Sequence, residues 1–460
     1  MLKTISPVDG RVYAERPTAT AAQIDATLHR AQAAQRLWRA VPVAERVAIV
    51  ERFCAAFEAR GAELAGELSW QMGRPSRYAP NEVRGMLERA RYMSAIAGEA
   101  LADIEVGPKP GFHRFLRREP LGVVFTVAAW NYPYLIAVNS VVPALLAGNA
   151  VVLKHSAQTP LCAERYAECF EAAGLPAGVF QVLHLEHADT ERVIRDPRVD
   201  FVAFTGSVAG GHAVQRVAAE RFIGVGLELG GCDPVYVRHD ADLAHAIENI
   251  VDGAYFNSGQ SCCGLQRIYV HESVYERFAA GATELVRQYT LGNPLDAATT
   301  LGPLVRASAA DAIRAQLQSS IQAGARPAID ERAFGLSKPG TPYLAPQLLL
   351  DAPPGSTVMR EEIFGPVAGV MKVSSDQEAV ALMNDNAFGL TAAVWSRDET
   401  AALAIGDQLQ TGTFFLNRCD YLDPALAWVG VKDSGRGCTL SVVGYEHLTR
   451  PKSFHLRVTT

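Results

Sequence analysis

The sequence predicts an α/β protein built on two parallel sheets, with a small β ribbon beside them. Three observations carry this. The chain has 460 residues, more than one ordinary hydrophobic core organises. From Leu121 onward short apolar segments alternate with helical ones, the pattern of strands buried between layers of helices. The alternation then restarts near Cys232 and runs to about Val431, which makes a second sheet.

The elements follow in order. The first hundred residues read as helices: Val43, Val47, Val50, Phe53, Cys54 and Phe57 share one face at helical spacing, and Pro42 suits a helix start. In the first alternating block, residues 122–128, 150–154, 181–184, 201–204 and 225–229 read as strands. A helix over 161–173 stops at Gly174 and Pro176. Residues 121–153 are apolar enough to suggest a membrane span, but Asn131, Pro133, Asn139, Pro143, Gly148 and Asn149 divide them into strand, loop, helix and strand. A sheet of this kind takes dinucleotides at the carboxyl ends of its strands. In the second block the predicted strands are 235–237, 266–270, 367–373, 392–395 and 413–416, with a helix over 240–255. Residues 335–342 and 353–355 read as loops. Two segments fit neither block. Residues 111–118 carry Arg114, Arg117 and Arg118 among apolar neighbours, as a partly exposed strand would, and residues 445–458 also read as extended. Such a ribbon either seeks a partner strand or forms a surface hairpin. The expected division is 1–100 with 121–231, then 232–432, and 101–120 with 433–460.

A hydrophobic fraction of 49%, a charged fraction of 20% and a net charge of −6 describe a folded globular chain, with no reason to expect nucleic acid or an anionic membrane as partner. Eight cysteines lie scattered without metal-ligand spacing, so neither a metal site nor a disulfide framework is expected, and a reducing compartment fits. Met1-Leu2-Lys3-Thr4 lacks the apolar core of a signal peptide, and the cytoplasm is the default expectation.

The chemistry concentrates in three places. Phe256-Asn257-Ser258-Gly259-Gln260-Ser261-Cys262-Cys263 is a polar loop that ends in two thiols between a helix and a strand. Leu227-Glu228-Leu229-Gly230-Gly231 sets a carboxylate at the junction of the two blocks, and Trp130-Asn131-Tyr132-Pro133 supplies an amide. A thiol can attack a carbonyl carbon, an amide can hold the oxygen that becomes negative, and a carboxylate can activate water. Either thiol could attack in principle. The apolar neighbours Leu227 and Leu229 should raise the pKa of Glu228 by desolvation. Phe204-Thr205-Gly206-Ser207, with Gly211, ends a strand at a helix start and offers free N–H groups to phosphate, although no Gly-x-Gly-x-x-Gly fingerprint is present.

These motifs, with Glu362-Ile363-Phe364-Gly365-Pro366 and Lys432-Asp433-Ser434-Gly435, follow one another in an order that resembles the aldehyde dehydrogenase superfamily from Ser6 to the last strand. Their local wording is similar to the lactaldehyde dehydrogenase-like branch. The resemblance implies two Rossmann-like domains, one for coenzyme and one for catalysis, and a β oligomerisation domain in a homodimer or homotetramer. It implies Cys262 as nucleophile, Glu228 as general base and Asn131 as oxyanion donor. It places NAD or NADP against Trp130, Lys154, Ser156, Gly206, Ser207, Gly211, Leu229, Glu362 and Phe364. It places a small aldehyde against Tyr132, Leu135, Asn139, Cys263, Leu422 and Trp428. The implied reaction yields a free acid through a thiohemiacetal and a thioester. The alternatives are a coenzyme A-acylating relative, disfavoured by Glu228, and a catalytically silent protein of the same fold. Arg418 or Arg267 could bind a substrate carboxylate, which would make the enzyme a succinate-semialdehyde dehydrogenase.

Three positions depart from the family's pattern. Ala157 stands where many NAD-preferring relatives carry a glutamate, so NADP is tolerated, and Lys154 and His155 could assist as further contacts. Ala129 replaces the usual proline before Trp-Asn. Thr439 replaces a second glutamate, which removes a proton route through that carboxylate and leaves Glu228 to act through water or other groups.

Overall fold

The computed structural model describes residues 1–459. Its first sheet has the spatial order Gly435–Arg436, Gly224–Glu228, Phe201–Thr205, Val123–Ala128, Ala150–His155, Phe180–Val182. The last five are parallel, and only the edge strand Gly435–Arg436 runs antiparallel. The strand that comes first in the chain, Val123–Ala128, lies in the middle, and later strands extend outward on both sides of it. The order therefore reverses between Val123–Ala128 and Phe201–Thr205, and a ligand crevice opens beyond their carboxyl ends.

Every residue of Val123–Ala128 is buried, because helices cover both faces. Val123, Phe125 and Val127 pack with Ile24, Leu28 and Val214, whereas Val124 and Ala128 pack with Val138 and Val141 from the opposite side. The period of two in the strand thus serves two separate cores.

The second sheet has the order Arg326–Pro327, Gln347–Leu350, Val367–Val373, Leu265–His271, Asp233–Val237, Thr391–Trp395, Thr413–Leu416. It is parallel except for Arg326–Pro327. The third sheet is a ribbon of Thr449–Arg457, Phe112–Pro120 and Ile104–Glu105, antiparallel throughout.

Three expectations need correction. The first hundred residues are not all helical, since Leu2–Ile5 and Val12–Arg16 pair as a hairpin. They are too short and too polar to show a period. The tail is not all extended: Ser441–His447 is a helix and only Thr449–Arg457 is a strand. The segment 433–460 is not one unit with the ribbon, because Gly435–Arg436 pairs with Gly224–Glu228 of the first sheet. Residue 460, the end of that expected segment, lies outside the described residues. The strand Gln347–Leu350 was also not foreseen. It is a four-residue apolar run, which periodicity cannot tell from a piece of helix.

A buried ion pair ties the two halves together. Arg74 follows the helix Gly61–Met72, is 2% exposed, and pairs with the equally buried Glu82 of the helix Ala79–Ala100. Arg74 also donates to the carbonyl of Asn131 at 2.5 Å and to Oδ1 of Asn257 at 3.1 Å. Glu82 accepts from the backbone N–H of Tyr134 at 2.8 Å. One guanidinium thus fixes the loop after the first strand to the loop that carries the thiols. Arg74→Met strands the Glu82 carboxylate in the interior, and loss of one partner of a buried pair typically costs roughly 3–5 kcal/mol. Guanidinium unfolding of the variant should show a loss of that order, with much of it recovered in the Arg74→Met, Glu82→Leu double variant. A single variant as stable as the parent would remove the pair from its structural role.

Candidate functional site

The thiol loop is held in a costly backbone conformation. Asn257 and Ser258 both take left-handed φ values, 53° and 57°, and Gly259 follows at 69°. Non-glycine residues rarely accept this region, and two in succession persist only when their surroundings over-determine them. The surroundings are visible. The Asn257 amide donates to the carbonyls of Asn131 and Gln260, both at 3.1 Å, and the Ser258 hydroxyl donates to the carbonyl of Gly302 at 2.9 Å. A Cβ on Gly259 would lie 2.1 Å from the carbonyl oxygen of Gly365, so no other residue fits there. The loop delivers Cys262 from the amino end of the strand Leu265–His271 toward the carboxyl end of the first sheet.

Beyond that carboxyl end lies a cavity of about 200 Å³. Trp130, Asn131, Cys262, Glu362 and Phe364 line it, and Gly206, Ser207 and Leu229 complete it from the coenzyme side. Trp130 and Phe364 meet edge to face, with ring centroids 5.7 Å apart. Asn131 donates to the carbonyl of Gln260 at 3.3 Å, which leaves one amide hydrogen for a ligand. A Cβ on Gly231 would lie 2.1 Å from the carbonyl oxygen of Cys262, so the Gly230-Gly231 turn must be bare for the two domains to meet. Ser207 caps the helix Val208–Ala218, its hydroxyl accepting from the Gly210 N–H at 3.2 Å. Gly211 backs onto Leu229. Lys154 and Ser156 lie outside this cavity, at the carboxyl end of the neighbouring strand, where Lys154 is paired in register with Val127. Burial lowers the Lys154 pKa. Ala157 is half-buried on the same loop and accepts from the Thr4 hydroxyl at 2.8 Å. His155 is fully buried, bonded to the Pro133 carbonyl and Thr159, and its pKa falls to about 4, so it cannot reach a coenzyme phosphate.

The two adjacent thiols differ. Cys262 opens to the cavity. Cys263 is 4% exposed and lies 3.0 Å from Oδ1 of Asp420. Its pKa is pushed well above normal by the neighbouring Cys262 thiol and by burial.

Glu228 is half-buried, and it lines a second cavity behind the first. Thr439 donates to Oε1 at 2.7 Å and Thr205 to Oε2 at 3.2 Å. Burial raises the Glu228 pKa, as the apolar flanks predicted, while Thr439 and Arg89 oppose the rise. Thr439 is therefore in contact with the carboxylate it was expected to leave to water. Glu362 accepts from the Gly231 N–H at 3.1 Å, and burial pushes its pKa up to about 7.

The expected substrate residues separate into groups. Asn139 faces the rear cavity beside Glu228 and accepts from Arg89 at 3.0 Å. Leu422 lines an outer cavity of about 120 Å³ with Arg418, Tyr421 and Leu426, and Trp428 lines both this cavity and the rear one. Leu135 packs beside Gly85, and Tyr132 lies under the Arg74 guanidinium at 4.5 Å from the ring centroid. Arg267 cannot bind a substrate carboxylate. It is 1% exposed, and its guanidinium is spent on Cys232, Leu382 and Met383 carbonyls and the Tyr269 hydroxyl. Sequence reasoning missed Arg74, Glu82, Arg89 and Asp420, and the contact of Thr205 with Glu228, because these roles depend on how the chain folds together.

The bare Gly206 turn, the capped helix start and the open Asn131 amide suit a dinucleotide whose reactive end lies near Cys262. Residues 1–454 match the aldehyde dehydrogenase family, and the chain belongs to it. It is 34% identical to an NADP-dependent succinate-semialdehyde dehydrogenase of Deinococcus radiodurans, over 98% of this chain and 93% of that one. It is 33% identical to a 3,6-anhydro-α-L-galactose dehydrogenase of Streptomyces coelicolor, over 99% and 94%. Among solved structures, succinic semialdehyde dehydrogenase from Streptococcus pyogenes in complex with NADP⁺ superposes with a TM-score of 0.95 at 28% identity, covering 99% of this chain and 100% of that one.

The Glu362 carboxyl gives the site a pH signature. Its folded pKa of about 7 lies above the ordinary 4.5. Between these values the folded form holds the extra proton, so stability present below pH 4.5 is lost as pH rises through 7, by at most about 1.4 kcal/mol per unit. Glu362→Gln should lose less stability between pH 5 and pH 8 than the parent, measured by chemical unfolding. Equal losses would mean that Glu362 ionises as in water.

Proposed function

We propose that this member of the aldehyde dehydrogenase family oxidises a small aldehyde to the free acid, with Cys262 as nucleophile. The single observation that carries the reading is one half-buried thiol, Cys262, open to a cleft that also presents Asn131 and Glu362, while its neighbour Cys263 is buried against Asp420. The Cys262 sulfur bonds to the aldehyde carbon. The Asn131 amide and the Cys262 N–H hold the resulting oxyanion, an arrangement whose loss typically costs about 10²–10³ in turnover per donor. NAD or NADP, when bound against Trp130, Gly206, Ser207, Leu229, Glu362 and Phe364, supplies the hydride acceptor. Glu228 then takes a proton from the water that cleaves the thioester. Its presence argues against transfer of the acyl group to coenzyme A.

Residues 1–100 and 121–231 serve as the coenzyme half in this reading, and 232–432 as the catalytic half. The ribbon of 104–120 and 449–457 joins copies into a homodimer or homotetramer. No helix among the described residues is long and apolar enough to cross a membrane, and a cytoplasmic site of action is part of the proposal. Within the aldehyde class, Arg418 supports a substrate with a second, carboxylate end. Its guanidinium lies 3.7 Å from the Tyr421 ring centroid in the outer cavity with Leu422 and Trp428. The named relatives include succinate-semialdehyde dehydrogenases.

Cys262→Ser should abolish production of reduced coenzyme, because a hydroxyl is far less ionised than a thiol, and Cys263→Ser should retain most of it. The reverse result would move the nucleophile to Cys263. Glu228→Gln should release one burst of reduced coenzyme per active site and then stall, with or without coenzyme A. Undiminished steady turnover would exclude Glu228 as the base.

Coenzyme choice turns on Ala157. With no carboxylate there, both NAD and NADP should be used. Ala157→Glu should raise the KM for NADP far more than that for NAD, since a carboxylate repels a 2′-phosphate in a partly desolvated cleft. Equal changes would mean that residue 157 does not face the adenosine ribose.

A further inference from the structure

Behind Glu228 lies the second cavity, of about 40 Å³. Thr205, Asn139, Cys438, Thr439 and His447 are among the side chains that line it with Glu228. At about 10–15 Å³ for each water, it has room for more than one. His447, at the end of the helix Ser441–His447, and Arg436 are exposed residues in its wall, so the lining runs from the Glu228 carboxylate to side chains at the surface.

Thr439 lines this space beside the carboxylate. Its backbone is pinned by two bonds to Trp428, one donated by each residue, at 2.9 and 2.8 Å. The hydroxyl is thereby fixed 2.7 Å from Oε1 of Glu228. A hydroxyl has one proton to give and two lone pairs to accept with, so it can bond the carboxylate and a water at once. We propose that Thr439 is a positioning residue that holds Glu228 and passes its proton to water in the cavity behind it. This rests on Glu228 being the base that activates water.

The proton balance is simple. Attack of water on the thioester leaves a proton on Glu228. The protonated carboxyl donates to Thr439 Oγ1, and the Thr439 hydroxyl turns its own hydrogen to a cavity water. The net change is loss of one proton from the carboxyl and gain of one by water, with no electron transfer. The hydroxyl does by relay what a second carboxylate would do by titration.

The groups facing Glu228 define the pH dependence. Arg89, from the helix Ala79–Ala100, favours the carboxylate, as do the bonds from Thr439, Thr205 and Asn139, and burial opposes them. Cys438 feels the Glu228 charge in turn, and burial with that charge raises its pKa to about 11, so it stays a neutral thiol near pH 7. Loss of the Thr439 bond removes a stabiliser of the anion and raises the Glu228 pKa further.

Thr439→Val and Thr439→Ser, tested beside Glu228→Gln, separate the possibilities. The burst of reduced coenzyme should keep its amplitude in Thr439→Val, which also shows that the variant folds. Steady turnover should fall about tenfold or more, by loss of assisted proton transfer. The acidic limb of the turnover profile should move to higher pH. Thr439→Ser, which keeps the hydroxyl, should restore both turnover and the limb. The proposal is overturned if Thr439→Val keeps the parental turnover and pH limb, or if Thr439→Ser is as impaired as Thr439→Val. A Glu228→Gln variant that turns over steadily would instead defeat the underlying base assignment, so the two failures are distinguishable.

Discussion

The site depends on one guanidinium. Arg74 lies at the meeting point of a helical segment, the loop after the first strand and the thiol loop, and it has a partner in each: Glu82, the Asn131 carbonyl and the Asn257 amide oxygen. The planar fork of arginine makes this possible. A lysine would offer a point charge and could not hold three directions at fixed angles. Burial of a charge at 2% exposure is unfavourable unless it is paired and hydrogen-bonded, and each of the three guanidinium nitrogens has a partner. The consequence is local. The Asn257–Ser258 backbone stays in a left-handed conformation it would leave in isolation, and Cys262 is aimed into the cleft rather than into its own sheet.

Both sheets contribute opposite ends to the same space. The first presents the carboxyl ends of its strands, with the open N–H groups of the Gly206 turn. The second presents the amino end of Leu265–His271, with the thiol loop in front of it. The junction between them is two glycines, because a side chain at Gly231 would strike the Cys262 carbonyl. Closeness at this seam removes water, and removal of water is why Glu228, Glu362 and Asp420 all have raised pKa values through burial. The shared direction of these shifts comes from loss of water around each carboxyl, the largest cause at all three.

Much of this was legible in the sequence, and for physical reasons. Strands such as Val123–Ala128 and Val367–Val373 are buried on both faces, and a continuous apolar run signals them. Short polar strands such as Leu2–Ile5 carry no such signal, and the helix Ser441–His447 is too brief for a period to emerge. The groups lining the cleft were legible because they sit in compact motifs. Arg74, Glu82 and Arg89 were not, because their partners lie far away in sequence: Asn257 is 183 residues from Arg74. The alternative of Arg267 as a carboxylate ligand falls for the same reason, since only the fold reveals that three carbonyls surround it. Thr439 was read as an absence, a missing carboxylate, whereas the fold shows a hydroxyl in contact with Glu228.

The pair of adjacent thiols shows how the fold can choose between chemically identical groups. In the proposed reaction the nucleophile must become an anion. At Cys263 a thiolate would lie 3.0 Å from the Asp420 carboxyl, in a space closed to water. Two like charges that close in low dielectric repel by several kcal/mol even at an effective dielectric of about 20. The Cys263 thiol donates to Asp420, and burial lifts the Asp420 pKa to about 7 although that bond opposes the rise. Cys262, one residue earlier, opens to the cleft that Asn131 also lines, where a negative charge has an amide donor within the same cavity. In the proposed reaction the preference for Cys262 follows from what faces each sulfur, with Asp420 beside the second thiol.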